Sequence, residues 1–236
     1  MAVLTEWPKR PATLTREQEA IREDFMHFWH EELPKRYSAI ERFNQGFPAG
    51  RRDEWAGRTI RTLEVGAGLG EHLAHEDLSF QEYTALELRA TMAERIKQRY
   101  PDVRVLVGDV QERLAAEDGY FDRIVAVHVL DHLPDLPAAL QEIRRVLKPG
   151  GHLAAVIPCE GGIAYGIGRD LTSRRLFETR YRCSYDWFIR AEHVNTCAEI
   201  LKELNKVFTV KQQHFWPFRI PVIHANAVVG LICTPR

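Results

Sequence analysis

Three carboxylates and three glycines stand where they can grip a small ligand: Glu64, then Gly66, Gly68 and Gly70 at alternate positions, then Glu87 and Asp109. Glycine is needed where backbone turns sharply or meets a ligand with no Cβ in between. The spacing G-x-G-x-G departs from the dinucleotide fingerprint G-x-G-x-x-G, because Glu71 stands where that pattern has its last glycine. A carboxylate there is a poor seat for pyrophosphate, since like charges would meet at short range. The predicted guest is a nucleoside without phosphate. Glu87 follows Gly70 by 17 residues, close to the spacing at which an acid ending a second strand reaches ribose hydroxyls. Two histidines further on, His128 and His132, carry imidazoles that titrate near neutrality and so can serve as bases.

These residues need a scaffold of alternating strands and helices. Apolar runs predict strands at Ile60–Val65, Tyr83–Glu87, Val103–Val107, Phe121–Val127 and His152–Ile157. Helical spacing predicts helices at Glu71–Glu76, Ala90–Arg99 and Leu136–Leu147, with Lys148–Gly151 as a turn. Such alternation argues for parallel strands joined by crossover helices, with ligands at the carboxyl ends of the strands. His128 then falls at the end of the fourth strand, beside the point where strand order reverses. His132 and Asp131 read as helix-start residues that hydrogen-bond locally, with His132 the weaker base candidate.

The stretch from residue 60 to 157 resembles the class I S-adenosylmethionine-dependent methyltransferases, specifically the small-molecule ubiquinone/menaquinone type. The resemblance rests on pieces occurring in order: Glu64-Val65 before the glycines, the acids Glu87 and Asp109, Phe121-Asp122, the segment Val129-Leu-Asp-His-Leu-Pro-Asp135, and Leu147-Lys-Pro-Gly-Gly151. It implies S-adenosylmethionine as cofactor. Glu64 would orient its amino-acid end with the backbone of Gly66, Ala67, Gly68 and Gly70, Glu87 and Leu88 would meet the ribose side, and Asp109 and Val110 would meet adenine. His128 would contact the methionine moiety or face the acceptor. The implied fold is α/β: a Rossmann-like doubly wound, mostly parallel sheet of seven strands with the last strand antiparallel, an N-terminal helical cap, and an insertion after the fifth strand.

Outside that stretch, residues 1–13 carry Pro8 and Pro11 and read as a loose arm. Helices are predicted at Thr15–Glu32, interrupted by Pro34, and at Lys35–Gln45. Their aromatic stripes are expected to pack on the core, with Tyr37, His30, Arg42 and Asn44 as candidate ligand contacts. Residues 158–190, rich in aromatics and with six arginines, read as a substrate-covering insertion in which Tyr165, Arg169 and Tyr181 are candidate substrate contacts. Pairing of the arginines with Glu160, Asp170, Glu178 and Asp186 is the plainer explanation of their number. A helix at Ala191–Lys206 and strands at Val207–Phe215 and Ala227–Cys233 would close the chain. The whole is expected to form one domain, divided as 1–50 arm and cap, 55–157 cofactor-binding core, 158–190 insertion and 191–236 last helix and strands.

Composition narrows the partners. Lys plus Arg number 32 against 33 Asp plus Glu, so nucleic acid is not an expected partner. No C-x-x-C occurs among the four cysteines, and neither a metal site nor a disulfide framework is expected. No charged-then-apolar leader or run of about 18 apolar residues occurs, which leads to the expectation of a cytoplasmic protein with no membrane span. The expected partner is a small-molecule methyl acceptor and the expected state a monomer or homodimer. Other readings are a methyltransferase-like module that binds nucleoside or a partner without turnover, and an RNA methyltransferase. A nicotinamide oxidoreductase fails on the glycine spacing. A cysteine nucleophile at Cys159 lacks its partner motif, and Cys159 is expected to be an ordinary buried cysteine.

Overall fold

The computed structural model describes residues 6–236, with residues 30–36 described by backbone only. Met1–Thr5 of the predicted arm and the side chain of His30 therefore lie outside the described residues. Seven strands, β1 (Ile60–Val65), β2 (Gln81–Glu87), β3 (Arg104–Val107), β4 (Phe121–Val127), β5 (Leu147–Pro158), β6 (Phe208–Trp216) and β7 (Val228–Pro235), form one sheet in the order β3-β2-β1-β4-β5-β7-β6. Strands β1 to β5 run parallel, and β7 enters antiparallel between β5 and β6. The sheet is the expected doubly wound one, and its strand order reverses between β1 and β4. The helices are α1 (Arg16–Arg36), α2 (Ser38–Gly46), α3 (Ala90–Arg99), α4 (Leu136–Val146), α5 (Ile163–Arg169), α6 (Arg175–Tyr181), α7 (Asp186–Glu192) and α8 (Cys197–Val207). No described helix is long and apolar enough to cross a membrane.

Central strands covered on both faces must be apolar without alternation. Ile124 to Ala126 of β4 and Leu153 to Ile157 of β5 are accordingly all buried. Helix α4 lays Leu136, Ala139, Leu140, Ile143 and Val146 on them, and Cys197, Ile200 and Leu204 of α8 join the same core. A second cluster has a different composition. Phe25 of α1 sits edge-on to Phe177 at 5.0 Å and to Phe188 at 5.1 Å, between the N-terminal cap and the insertion. The cap is thus fastened to the insertion, and ion pairs Arg22–Glu192 (2.5 Å) and Arg180–Asp24 (2.9 Å) border the contact.

Several boundaries differ from those read off the chain. Helix α1 continues two residues past Pro34, and the break falls at Tyr37, whose backbone (φ −124°, ψ 42°) precedes α2. Residues 6–13 are not loose: the Lys9 N–H donates to Pro134 O, and its ammonium donates to Val194 O and pairs with Glu199. In place of a helix at Glu71–Glu76 there is one 3-10 turn, His72–His75. The Lys148–Gly151 turn belongs to β5, whose ladder with β4 shifts register between Phe121 and Arg123.

The helix expected at Ala191–Lys206 is two helices. Buried Asn195 separates them, its amide donating to Leu130 O and Leu133 O at 2.9 and 2.8 Å. Thr196 and Glu199 then open α8 with a reciprocal capping box, a T-x-x-E signal that the sequence itself carries. Likewise the cap of α4 is Asp135, accepting from the Ala138 N–H, and not Asp131.

Candidate functional site

The turn after β1 holds Gly66, Gly68 and Gly70 at φ of +68°, +57° and +78°, a region costly for residues with a Cβ. A Cβ on Gly66 would also stand 2.6 Å from Val129 Cγ2. The loop therefore presses against the segment following β4, and only glycine fits. It is hooked to the end of β2. The Gly66 and Ala67 N–H groups donate to Leu86 O, and the Glu87 carboxylate accepts from the Gly68 N–H at 2.9 Å and from the Arg89 N–H at 2.9 Å. Glu87 is thereby fixed at the mouth of the turn, with exposed Leu88 beside it.

Glu64, near the end of β1, is buried and accepts one hydrogen bond, from the Tyr83 hydroxyl at 3.0 Å. Burial pushes its carboxyl up to about 8, only partly offset by that bond, with the charges of Glu76 and Glu71 adding to the rise. A carboxylate so desolvated is poised to receive a cation. On the far side of β2, Asp109 follows β3, its Oδ1 accepting from the Gln111 backbone N–H (2.8 Å) and its carboxylate also bonded to the Gln111 amide; Val110 is buried in the core. Glu64, the glycines, Glu87 and Asp109 thus lie together at the carboxyl ends of β1, β2 and β3.

A network whose partners the local sequence does not identify braces this turn. Arg123 of β4 is fully buried and meets Glu76 Oε1 at 2.6 Å, while His72 Nε2 meets the same oxygen at 2.6 Å and Gln81 donates to Oε2 at 2.7 Å. Burial would raise the Glu76 carboxyl, but His72 and Arg123 hold it well below the ordinary range. Gln45 of α2 reaches His72 at 3.2 Å, so the cap helix is joined to the glycine turn through this group.

Beyond the reversal point, His128 follows β4 at φ +50°, uncommon for a residue with a side chain. Its backbone N–H donates to Val156 O, and its buried Nε2 has no hydrogen-bond partner among the described residues. Burial holds the imidazole below its usual range, against the pull of Asp131 and Glu41. Asp131 is 1% exposed and points inward, so it does not bond locally as expected, and neither carboxylate oxygen has a hydrogen-bond partner among the described residues. His132 donates from Nδ1 to Glu192 O at 2.8 Å, leaving Nε2 turned to Asp131 Oδ2 at 3.5 Å. His193 Nδ1 stands 3.1 Å from Glu160 Oε2 and 3.6 Å from Asp131 Oδ2.

Of the residues expected to face an acceptor, the structure brings two to this group. Arg169 pairs with Glu160 at 2.8 Å and lies over the Tyr165 ring, whose phenol burial pushes well above its ordinary value, with the Glu160 and Asp131 charges adding. Tyr181 is elsewhere, its hydroxyl bonded to Asp24 in the aromatic cluster. Tyr37 packs against Trp29 at 6.1 Å. Arg174 meets Asp170, Glu178 and Asp186, in line with arginines paired to nearby acids. Cys159 is buried and all four cysteines are free. Glu160 and His193 join the site without having been expected in it. Glu160 has a signal, since it follows β5 on the ligand edge of the sheet. His193 carries no local signal.

Residues 63–155 match the family described as methyltransferase domain. Trans-aconitate 2-methyltransferase of Deinococcus radiodurans is 34% identical over 101 residues, covering 42% of this chain and 38% of that one. Squalestatin hexaketide synthase of a Phoma species is 28% identical over 122 residues, covering 45% of this chain and 5% of that one. The matched stretch thus spans less than half the length of either relative. Among solved structures, a TehB-like SAM-dependent methyltransferase from Corynebacterium glutamicum shares the fold with a TM-score of 0.61 at 16% identity, covering 92% of this chain and 100% of that one.

Proposed function

We propose that residues 63–155, which match the methyltransferase-domain family, work as a class I, S-adenosylmethionine-dependent methyltransferase, and that the chain is an enzyme transferring a methyl group to an oxygen, nitrogen or carbon of a small molecule. The observation that carries this reading is the juxtaposition at the sheet's reversal point: a glycine turn with no room for a Cβ and a buried, cation-seeking Glu64 on one side, and the histidines His128, His132 and His193 on the other. The cofactor site is consistent with these residues, since Glu64 forms no ion pair among the described residues, with Arg123 acting on it only at a distance, and suits an ammonium group. Glu87, already fixed by two backbone N–H groups, keeps lone pairs for ribose hydroxyls. Asp109 and the Val110 N–H would take adenine, and Leu88 an apolar face of the nucleoside.

Bound there, the cofactor supplies a methyl already activated by its sulfonium, so what remains to the protein is alignment and exclusion of water. The cap and insertion, fastened through Phe25, would shield the acceptor, and the division of the chain into cap, core, insertion and closing strands follows from that role. His128 would line the methyl path with Nε2. His132, with Nδ1–H committed to a carbonyl, keeps Nε2 as a proton acceptor for an acceptor hydroxyl or amine. Tyr165 and Arg169 would meet the acceptor, a small molecule as in the relative named for trans-aconitate. We further propose a cytoplasmic setting.

Calorimetric titration with S-adenosylmethionine and S-adenosylhomocysteine tests the cofactor, and absence of binding to both overturns the reading. Incubation with methyl-labelled cofactor and a metabolite extract tests turnover. A labelled small molecule is expected, whereas a module that only binds labels nothing, and label in RNA moves the acceptor class.

A further inference from the structure

The acceptor side of the site holds an arrangement that methyl transfer alone does not call for. Asp131 is 1% exposed, yet neither oxygen receives a hydrogen bond among the described residues. Burying a carboxylate in that state is costly, and such groups are ordinarily paired or bound to a cation. What faces Asp131 is nitrogen: His132 Nε2 at 3.5 Å and His193 Nδ1 at 3.6 Å from the same Oδ2. One ligating atom from each of the three residues lies within 4.8 Å of the others.

We propose that Asp131, His132 and His193 bind a divalent transition-metal ion between the carboxyl ends of β4 and β5. With metal–ligand bonds of about 2.0–2.1 Å, tetrahedral geometry puts neighbouring ligand atoms about 3.4 Å apart. The two separations measured from Asp131 match that edge, and the remaining gap closes by side-chain rotation. His132 is prepared for ligation. Its Nδ1–H is spent on Glu192 O at 2.8 Å, which fixes the tautomer and aims the Nε2 lone pair at Asp131. His193 Nδ1 loses its proton to solvent as the metal bond forms. Glu160 Oε2, 3.1 Å from that nitrogen and oriented by Arg169, is within reach as a fourth donor. Two imidazoles and a carboxylate favour Zn²⁺, Co²⁺ or Fe²⁺ over the oxygen-seeking Mg²⁺ and Ca²⁺.

Resting on the methyltransferase reading, the metal would hold the acceptor through an oxygen and favour loss of its proton to solvent, making a hydroxyl or enol the nucleophile, with His132 Nε2 then a metal ligand in place of the proton acceptor it would be without the ion. The site was not expected from the chain because its ligands come from a 3-10 turn after β4 and from the linker between α7 and α8.

Tag-free full-length protein, stripped with chelator, is titrated with Zn²⁺ by calorimetry and with Co²⁺ by visible absorption. One equivalent is expected, with a cobalt band of four- or five-coordinate character. His193→Ala and Asp131→Asn are each expected to weaken binding by at least ~100-fold by removing a direct ligand, at or beyond the upper end of the range for outer-shell losses. His75→Ala, on the exposed turn after β1, should leave it unchanged. Each variant is first checked by circular dichroism and by S-adenosylhomocysteine binding. No stoichiometric Zn²⁺ or Co²⁺ binding by the parent overturns the proposal without any variant, and so does unchanged affinity in the folded His193→Ala and Asp131→Asn proteins. Failure of the parent to bind either S-adenosylmethionine or S-adenosylhomocysteine, with metal binding intact, overturns the methyltransferase reading instead.

Discussion

Cofactor binding is expected to be linked to the proton on Glu64, with a sign that reverses near pH 8. Burial pushes the carboxyl up to about 8 in the free protein, so at pH 7 roughly nine tenths of the molecules carry it protonated. An ammonium group seated against it requires the carboxylate, and that proton leaves on binding. Each pH unit below the midpoint costs about 1.4 kcal/mol. Affinity should therefore rise about tenfold from pH 6 to pH 7 and flatten towards pH 8. Above that, an α-amino group ordinarily loses its own proton near 7.7–8.0, and binding to an ionised Glu64 then takes a proton up. The affinity maximum lies where the two limbs cross.

Calorimetry in paired buffers of different ionisation enthalpy reads this directly: release of nearly one proton at pH 6.5, little net exchange near pH 8, uptake at pH 9. S-adenosylhomocysteine carries the same amino group without the sulfonium and should give the same trace. Glu64→Gln keeps an acceptor for the Tyr83 hydroxyl but has no proton to lose, so the acid-side release should vanish and affinity fall by about ten- to a hundredfold. A further sign follows for the free protein. Because the folded carboxyl titrates above its unfolded value, the folded state keeps a proton that the unfolded state has lost, and Glu64 destabilises the fold increasingly from pH 4.5 to 8. The Glu64→Gln protein without cofactor should then outlast the parent in a melt at pH 8 and match it at pH 4.5. Pairing Glu64 with the amino group is refuted if affinity is flat from pH 6 to 8 with no proton release.

Gly66→Ala should abolish detectable cofactor binding, because φ is +68° and the new methyl meets Val129 at 2.6 Å; adding Val129→Ala relieves the contact but leaves a backbone penalty of roughly 1–2 kcal/mol, read as incomplete recovery of melting temperature. Glu76→Gln strands the buried Arg123 charge and should cost about 3–5 kcal/mol in a urea titration at pH 7. Since Glu76 is held below its ordinary value, its contribution is full above pH 4.5 and is lost as pH falls through the depressed value, so the difference between parent and variant should shrink in acid. Phe25→Ala empties a site 2% exposed between cap and insertion; a loss of about 3–5 kcal/mol is expected in a thermal melt, and raised proteolysis of residues 158–190 would locate it.

The parts of the site legible in the chain are those whose meaning is local. Gly66, Gly68 and Gly70 declare a turn by type and spacing, and Glu64, Glu87 and Asp109 are placed by the strands they end, because parallel strands bring their carboxyl ends to one edge of the sheet. The same rule places His128. It does not tell which way a side chain leaves a short turn, and so Asp131 reads as a cap although Asp135 performs that task and Asp131 faces inward. Arg123 shows the complementary failure. A charged residue inside an apolar strand signals a partner, but the partner, Glu76, comes from an irregular segment and is matched only in three dimensions. The two halves of the candidate site are unequally visible for this reason. The proposed nucleoside half is built from backbone turns and strand ends, which sequence spacing encodes. The proposed acceptor half is assembled from Asp131, His132, Glu160, Tyr165 and His193, which meet only because α5 and the α7–α8 linker fold back over the ends of β4 and β5. Substitutions there should redirect the choice of acceptor while leaving the Glu64-linked proton release intact.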